Sequence, residues 1–175
     1  MHRFVLNWDE YFMGLSLLAA LRSKDPNSQV GAAIVSPQQR ILGTGYNGFI
    51  AGVDESQFPW EREGEWLDTK YPYVVHAEAN AILNSTQSDL RDCRIYVTLF
   101  PCNECAKQIA QKGIREIIYL QDKYPDSPQG LAARRILDAV GVSYRQADLP
   151  HLPDELQRLA ANLRQVLKNG ATSAE

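Results

Sequence analysis

Two short segments carry the residue types that do chemistry: His76-Ala77-Glu78 and Pro101-Cys102-Asn103-Glu104-Cys105. Each alone has an ordinary reading. A C-x-x-C entering a helix after a strand is also the pattern of a redox dithiol, and a histidine near a helix start is commonly a hydrogen-bonded structural residue. Together they supply one imidazole and two thiols, and zinc in a catalytic site takes three protein ligands and leaves a fourth position for water. The spacing favours convergence. Cys102 and Cys105, three apart in a first helical turn, share a face, and a helix N-terminus lowers a thiol's pKa toward the thiolate that binds metal. His76 and Glu78, two apart, diverge inside a helix but converge where the chain is still extended as the helix begins.

A closed four-ligand site would need Cys93, the one other cysteine. With Arg94 to Phe100 as a strand, nine steps at roughly 3.3 Å place Cys93 about 30 Å from Cys102, so it reads as a small buried hydrophobe. Glu78 is then free to take and return protons, which activation of water requires of a carboxylate that is not itself a ligand. H-x-E followed by P-C-x-x-C is a signature of zinc deaminases, in which hydroxide attacks C4 of cytosine or C6 of adenine.

The elements that must hold these residues follow from periodicity. Asn7 with Glu10 three residues on reads as an N-cap, opening a helix over 7 to about 23 with Trp8, Phe12, Leu15 and Ala19 on its apolar face. Gln29–Val35, a turn at 36–39 and Arg40–Gly45 form a hairpin. Helices are predicted over His76–Leu83, Pro101–Lys112 and Leu131–Val140, the last stopped by Gly141, with strands over Arg94–Phe100, Arg115–Leu120 and Val142–Arg145. A final helix opens at Pro153, ends at Gly170 and lines Leu156, Leu159, Leu163, Val166 and Leu167 on one face, to pack on its own sheet or on another subunit. The tail from Ala171 should fray. Ile50 to Tyr73 lacks periodicity and reads as a surface excursion pinned by Trp60 and Trp66. The class is α/β, a three-layer α/β/α sandwich around a mixed sheet of about five strands. Residues 1–150 form the catalytic domain, and 151–175 add a helix and tail to the same domain.

Length and composition narrow the function. At 175 residues and 19.7 kDa, with 45% apolar and 22% charged residues, the chain is an ordinary globular domain. No apolar run approaches the roughly 20 residues of a bilayer span, and the first fifteen residues do not read as a secretion signal, so residence in the cytoplasm is expected and no membrane partner. Eighteen basic against twenty-one acidic residues give a net charge of −3 without a basic run, which argues against nucleic acid as a partner.

Beyond the two motifs, several segments resemble the deoxycytidylate (dCMP) deaminase family in order and spacing: residues 23–32 (SKDPNSQVGA), 45–48 (GYNG), 68–73 (DTKYPY), 76–82, 100–107 and 122–124. The similarity spans roughly residues 8 to 146. It implies a cytidine-deaminase-like fold and hydrolysis of dCMP to dUMP and ammonia, feeding dTMP synthesis, in a homohexamer activated by dCTP and inhibited by dTTP. The implied zinc ligands are His76, Cys102 and Cys105, with Glu78 as proton shuttle. The resemblance further implies that the backbone N–H of Ala77 holds the pyrimidine carbonyl, that Asn47 contacts base or sugar, that Tyr124 lines the substrate site, and that Ser23 and Asn27 lie near a phosphate. Gly45, Tyr46 and Gly48 fall in the region that holds the regulatory nucleotide, which as a triphosphate would bring Mg2+. Two positions depart from the family's pattern: Ile50 where proline is frequent, and Val75 where cysteine is frequent. Residues 3–75 contain neither Cys nor His, so one zinc per subunit is expected. The competing classes are a deaminase of dCTP as well as dCMP, a tRNA adenosine or single-stranded DNA deaminase, and a zinc-stabilised interaction module without catalysis.

Overall fold

The computed structural model describes residues 4–171. The chain runs α1 (Trp8–Ala20), β1 (Gly31–Val35), β2 (Ile41–Tyr46), β3 (Gly48–Phe49), β4 (Val74–Val75), α2 (Ala77–Leu83), β5 (Arg94–Leu99), α3 (Asn103–Gln111), β6 (Glu116–Gln121), α4 (Pro128–Val140), β7 (Ser143–Gln146) and α5 (Leu152–Ala171). Five strands form one sheet in the order β2-β1-β5-β6-β7, antiparallel across β2, β1 and β5 and parallel across β5, β6 and β7. This is the expected mixed sheet. Helices α2, α3 and α4 cover one face, where Ala77, Ala106, Ile109 and Leu137 meet Ile34, Ile95, Val97 and Ile117. Helix α1 covers the other, with Phe12 and Met13 on Val35, Tyr96 and Ile118.

Helix α1 starts as predicted: the Asn7 side chain accepts the Glu10 N–H, and the Glu10 carboxylate accepts the Asn7 N–H. Its buried stripe is not the expected one. Phe12, Met13, Ser16 and Ala20 face inward with Glu10, while Trp8 is 54% exposed. Polar residues can sit there because each is satisfied. Ser16 donates to the carbonyls of Phe12 and Tyr96, and Glu10 Oε1 accepts the N–H groups of His151 and Leu152 at the start of α5.

The excursion over 50–73 is not structureless. Strands β3 and β4 pair at its base, and it contains two single turns of 3-10 helix, Glu55–Gln57 and Trp66–Asp68. Trp60 does pin it, packing 4.2 Å from the Phe49 ring, but Trp66 is 62% exposed and only stacks on Tyr71. Helix α4 begins three residues before the expected Leu131, because Ser127 caps the Gly130 N–H and Pro128 occupies the first turn; Gly141 closes it in the left-handed region. Helix α5 starts one residue early and runs past Gly170 to Ala171, and the rest of the tail expected to fray lies outside the described residues. Leu152 is buried, but Leu159, Leu163, Val166 and Leu167 remain more than half exposed, so that face does not pack on its own sheet. Among the described residues no helix is long and apolar enough to cross a membrane.

Candidate metal centre and active site

The metal-type side chains gather where two helices begin. His76 is the N-cap of α2, with extended backbone (φ −73°, ψ 157°), so the chain is still straight when it delivers the imidazole and turns helical in time to place Glu78 two residues later. Cys102 is likewise the N-cap of α3 (φ −73°, ψ 172°). This corrects the expected helix from Pro101: the proline and Cys102 precede the first turn, and Cys105, at the third helical position, still meets Cys102 because an N-cap side chain folds toward that position. The imidazole Nδ1 stands 3.5 Å from each sulfur, and the three ligand atoms all lie within 4.8 Å of one another. Cys93 is buried in the core one residue before β5 and stands outside the cluster.

The three groups act strongly on one another. The hydrogen bond from Cys105 and, after it, the contact with His76 together lower the Cys102 thiol to about 3 against the opposing effect of burial. In turn the contact with Cys102 raises His76 to about 9, and the Cys105 thiol is pushed up by Cys102 and by burial. One imidazole and two sulfurs, one of them readily a thiolate, form a soft donor set that suits zinc. The residues present fit that metal. Glu78 is 4% exposed, and burial raises its carboxyl above the usual range; it also lies within hydrogen-bond reach of Cys105. A buried carboxyl raised in this way and set beside the ligand cluster is placed to carry protons.

The β3–β4 ribbon aligns the remaining residues with this centre. Gly48 pairs with Val75, so Asn47 and His76 flank the same end of the ladder. Asn47 is buried and its amide is heavily used: Nδ2 donates to Asp25 Oδ2 (3.1 Å) and to the Ser28 carbonyl (2.9 Å), and Oδ1 accepts the Val30 N–H (2.8 Å). Ser23 is buried in the same loop, where Oγ accepts the Asp25 N–H, and the Asn27 side chain donates to the Trp60 carbonyl. Ala77 is fully buried at the first position of α2, where its N–H has no partner within the helix. Tyr124 is half exposed beyond the C-terminal end of β6; its carbonyl accepts from the Ser127 N–H and hydroxyl, and its phenol contacts Arg62 from the excursion.

Gly45 is buried beneath α2, Tyr46 accepts from Asn80 through its carbonyl and lies under the Arg22 guanidinium, and Gly48 is half-buried in the ribbon. Sequence reasoning placed Asp25 and Lys70 in two of the segments that resemble the family but missed that they pair. Lys70 pairs with Asp25 in the interior, and its charge acts on His76. Neither residue belongs to the metal-binding motifs, and the pairing crosses 45 positions of sequence.

Comparisons with known proteins point to one family. Residues 6–121 match the cytidine and deoxycytidylate deaminase zinc-binding region. The deoxycytidylate deaminase of Homo sapiens is 54% identical over 142 residues, covering 81% of this chain and 80% of the human protein. The probable deoxycytidylate deaminase of Drosophila melanogaster is 53% identical over 156 residues, covering 86% and 75%. Among solved structures, the dCMP deaminase of cyanophage S-TIM5 in complex with dCMP and dUMP aligns with a TM-score of 0.64 at 25% identity, over 82% of this chain and 99% of that one. Motif, geometry and relatives converge: the chain is a member of the cytidine and deoxycytidylate deaminase zinc-binding family.

Proposed function

We propose that the protein hydrolyses dCMP to dUMP and ammonia, supplying the precursor of dTMP. The observation that carries this reading is the His76, Cys102 and Cys105 cluster with buried Glu78 on the first turn of α2. The names of the relatives at 53–54% identity support dCMP as the substrate. His76, Cys102 and Cys105 would hold one zinc, a Lewis acid that lowers the pKa of water toward 7. Glu78 accepts the proton of the attacking water and delivers it to N3 of the cytosine ring, then takes the proton of the new C4 hydroxyl and passes it to the 4-amino group, which leaves as ammonia while the C4 carbonyl forms. Atoms balance as dCMP plus water giving dUMP plus ammonia. The Ala77 N–H, free at the helix start, is the donor for the pyrimidine carbonyl. Ser23 and Asn27 serve the phosphate side, Tyr124 lines the pocket, and Asn47 frames the sugar side, mainly through the loop it bonds.

Residues 1–150 constitute the catalytic unit, and 151–175 extend it. The exposed apolar face of α5 supports assembly into a homo-oligomer, a hexamer in this reading. Activation by dCTP and inhibition by dTTP, with Mg2+ accompanying the triphosphate at Gly45, Tyr46 and Gly48, complete the proposal. The net charge of −3 disfavours a nucleic-acid substrate. The test is ammonia release from dCMP, dCTP, deoxycytidine and CMP, each with and without dCTP, dTTP or a zinc chelator, beside Glu78→Gln. Chelator-sensitive turnover of dCMP that Glu78→Gln reduces at least 100-fold, roughly the lower bound for general acid–base catalysis, is expected. A zinc-loaded protein inert toward every free nucleotide refutes the assignment.

A further inference from the structure

We propose that Lys70 is a positioning residue for recognition of the substrate's phosphate, acting through Asp25; this rests on the dCMP reading above. The Asp25 side chain is buried, only 1% exposed. Its Oδ1 accepts the N–H groups of Asn27 (2.8 Å) and Ser28 (3.2 Å), while its Oδ2 takes both the Asn47 amide (3.1 Å) and the Lys70 ammonium. All four directions of one carboxylate are therefore used to hold the 23–28 loop, the residue between β2 and β3, and the end of the excursion in a single arrangement. Lys70 is itself tied down. Its side chain is 10% exposed, its N–H donates to the Glu61 carbonyl, and its own carbonyl accepts from Tyr73 and Val74, the residues that lead through β4 to His76. The loop and the first metal ligand are thus fastened to the same lysine from opposite sides.

A buried ion pair is a poor device for stability, since an apolar pair of similar volume commonly does as well; what it fixes is geometry. The loop above it frames an open concavity of about 450 Å3 lined by Ser23, Asn27 and their neighbours, on the side assigned to the phosphate. Removing the ammonium frees the carboxylate, the loop and Asn47 to shift relative to the metal ligands. Binding of the phosphorylated substrate suffers more than the hydrolytic step, because the Lys70 backbone bonds that lead to His76 remain and Glu78, Cys102 and Cys105 sit on or at the start of α2 and α3.

Lys70→Met, Asp25→Asn and the double variant test this by steady-state kinetics on dCMP and on deoxycytidine, with thermal unfolding in parallel. Lys70→Met is expected to raise KM for dCMP on the order of tenfold and to narrow the dCMP-to-deoxycytidine ratio of kcat/KM to the same degree. Asp25→Asn, which keeps the side-chain shape, is expected to do the same even if Lys70→Met folds poorly. The double variant, with no unpaired buried charge, recovers thermal stability but not the KM for dCMP. A purely structural lysine gives the opposite result: restored stability brings back the wild-type KM. Folded variants with an unchanged substrate ratio, or a wild type that turns over deoxycytidine as well as dCMP, overturn the inference. A wild type inert on dCMP overturns the functional reading itself.

Discussion

The most demanding test of how α2 is positioned is a single methyl group at Gly45. A Cβ there would stand 2.3 Å from the Ala77 carbonyl oxygen and 2.3 Å from the Ala81 nitrogen, the pair that bond each other in the first turn of α2. Ordinary contact begins near 3.4 Å, so Gly45→Ala requires a displacement of about 1.1 Å, and both obstacles are backbone. Neither can swing aside. Overpacking of this kind costs about 1–3 kcal/mol, and a backbone clash belongs at the upper end. At roughly 2–4 °C per kcal/mol for a chain of this size, Tm should fall by about 6–12 °C. The displaced turn carries Glu78 and follows His76, and a misplacement of about 1 Å can reduce turnover about 100-fold. Thermal unfolding, zinc content and kcat/KM on dCMP are the readouts. Gly45→Ala with wild-type Tm and turnover would refute the close-packing argument. Intact turnover with a lost response to dCTP or dTTP would instead assign Gly45 to regulation.

Three further outcomes are expected. Cys102→Ala should lose bound metal and turnover together, as metal analysis of the purified protein would show; retained stoichiometric zinc would remove Cys102 from the ligand set. Burial raises the Glu10 pKa, but hydrogen bonds from Asn7, His151 and Leu152 outweigh it, so the folded value lies below the reference of 4.5. The carboxylate therefore stabilises the fold above the unfolded pKa, and that contribution is lost as pH falls through the lowered folded value. Glu10→Gln should lower Tm at pH 7 and flatten its decline below about pH 4.5, and parallel wild-type and variant curves would contradict this. Leu163→Glu, on the exposed face of α5, should reduce the assembled mass in sedimentation experiments without loss of helix content, whereas an unchanged mass would place the subunit contacts elsewhere.

What was legible in the sequence divides by range. His76, Glu78, Cys102 and Cys105 could be read because metal chemistry restricts residue type and spacing, and the extended entry into α2 was deducible from the two-residue separation of His76 and Glu78. The five-strand sheet followed from period and punctuation. Inaccurate boundaries trace to local chemistry given too little weight: Ser127-Pro128 starts α4 early, and Cys102, an N-cap, displaces Pro101 from α3. The buried face of α1 was mis-phased because Ser16 and Glu10 look solvent-facing, yet their partners lie 80 and 141 positions away. The pairing of Lys70 with Asp25 was illegible for the same reason. No pattern links two charges whose meeting depends on how a loop and an excursion fold against each other.

The Glu10 carboxylate ties the start of α5 to the start of α1. One oxygen helps cap α1 through the Asn7 N–H at 3.0 Å, and the other receives the first amides of α5, from His151 at 2.7 Å and Leu152 at 3.0 Å. A chain cut after residue 150 would strand that second oxygen in the interior without a donor, a loss of about 1–3 kcal/mol for an unsatisfied buried acceptor. It would also remove Leu152 from its buried seat. Residues beyond 150 resemble an appendage in sequence, but their first turn completes a capping arrangement begun at residue 7. During synthesis α1 can form early, while the donors that complete its Glu10 carboxylate, His151 and Leu152, emerge only with the last seventh of the 175 residues.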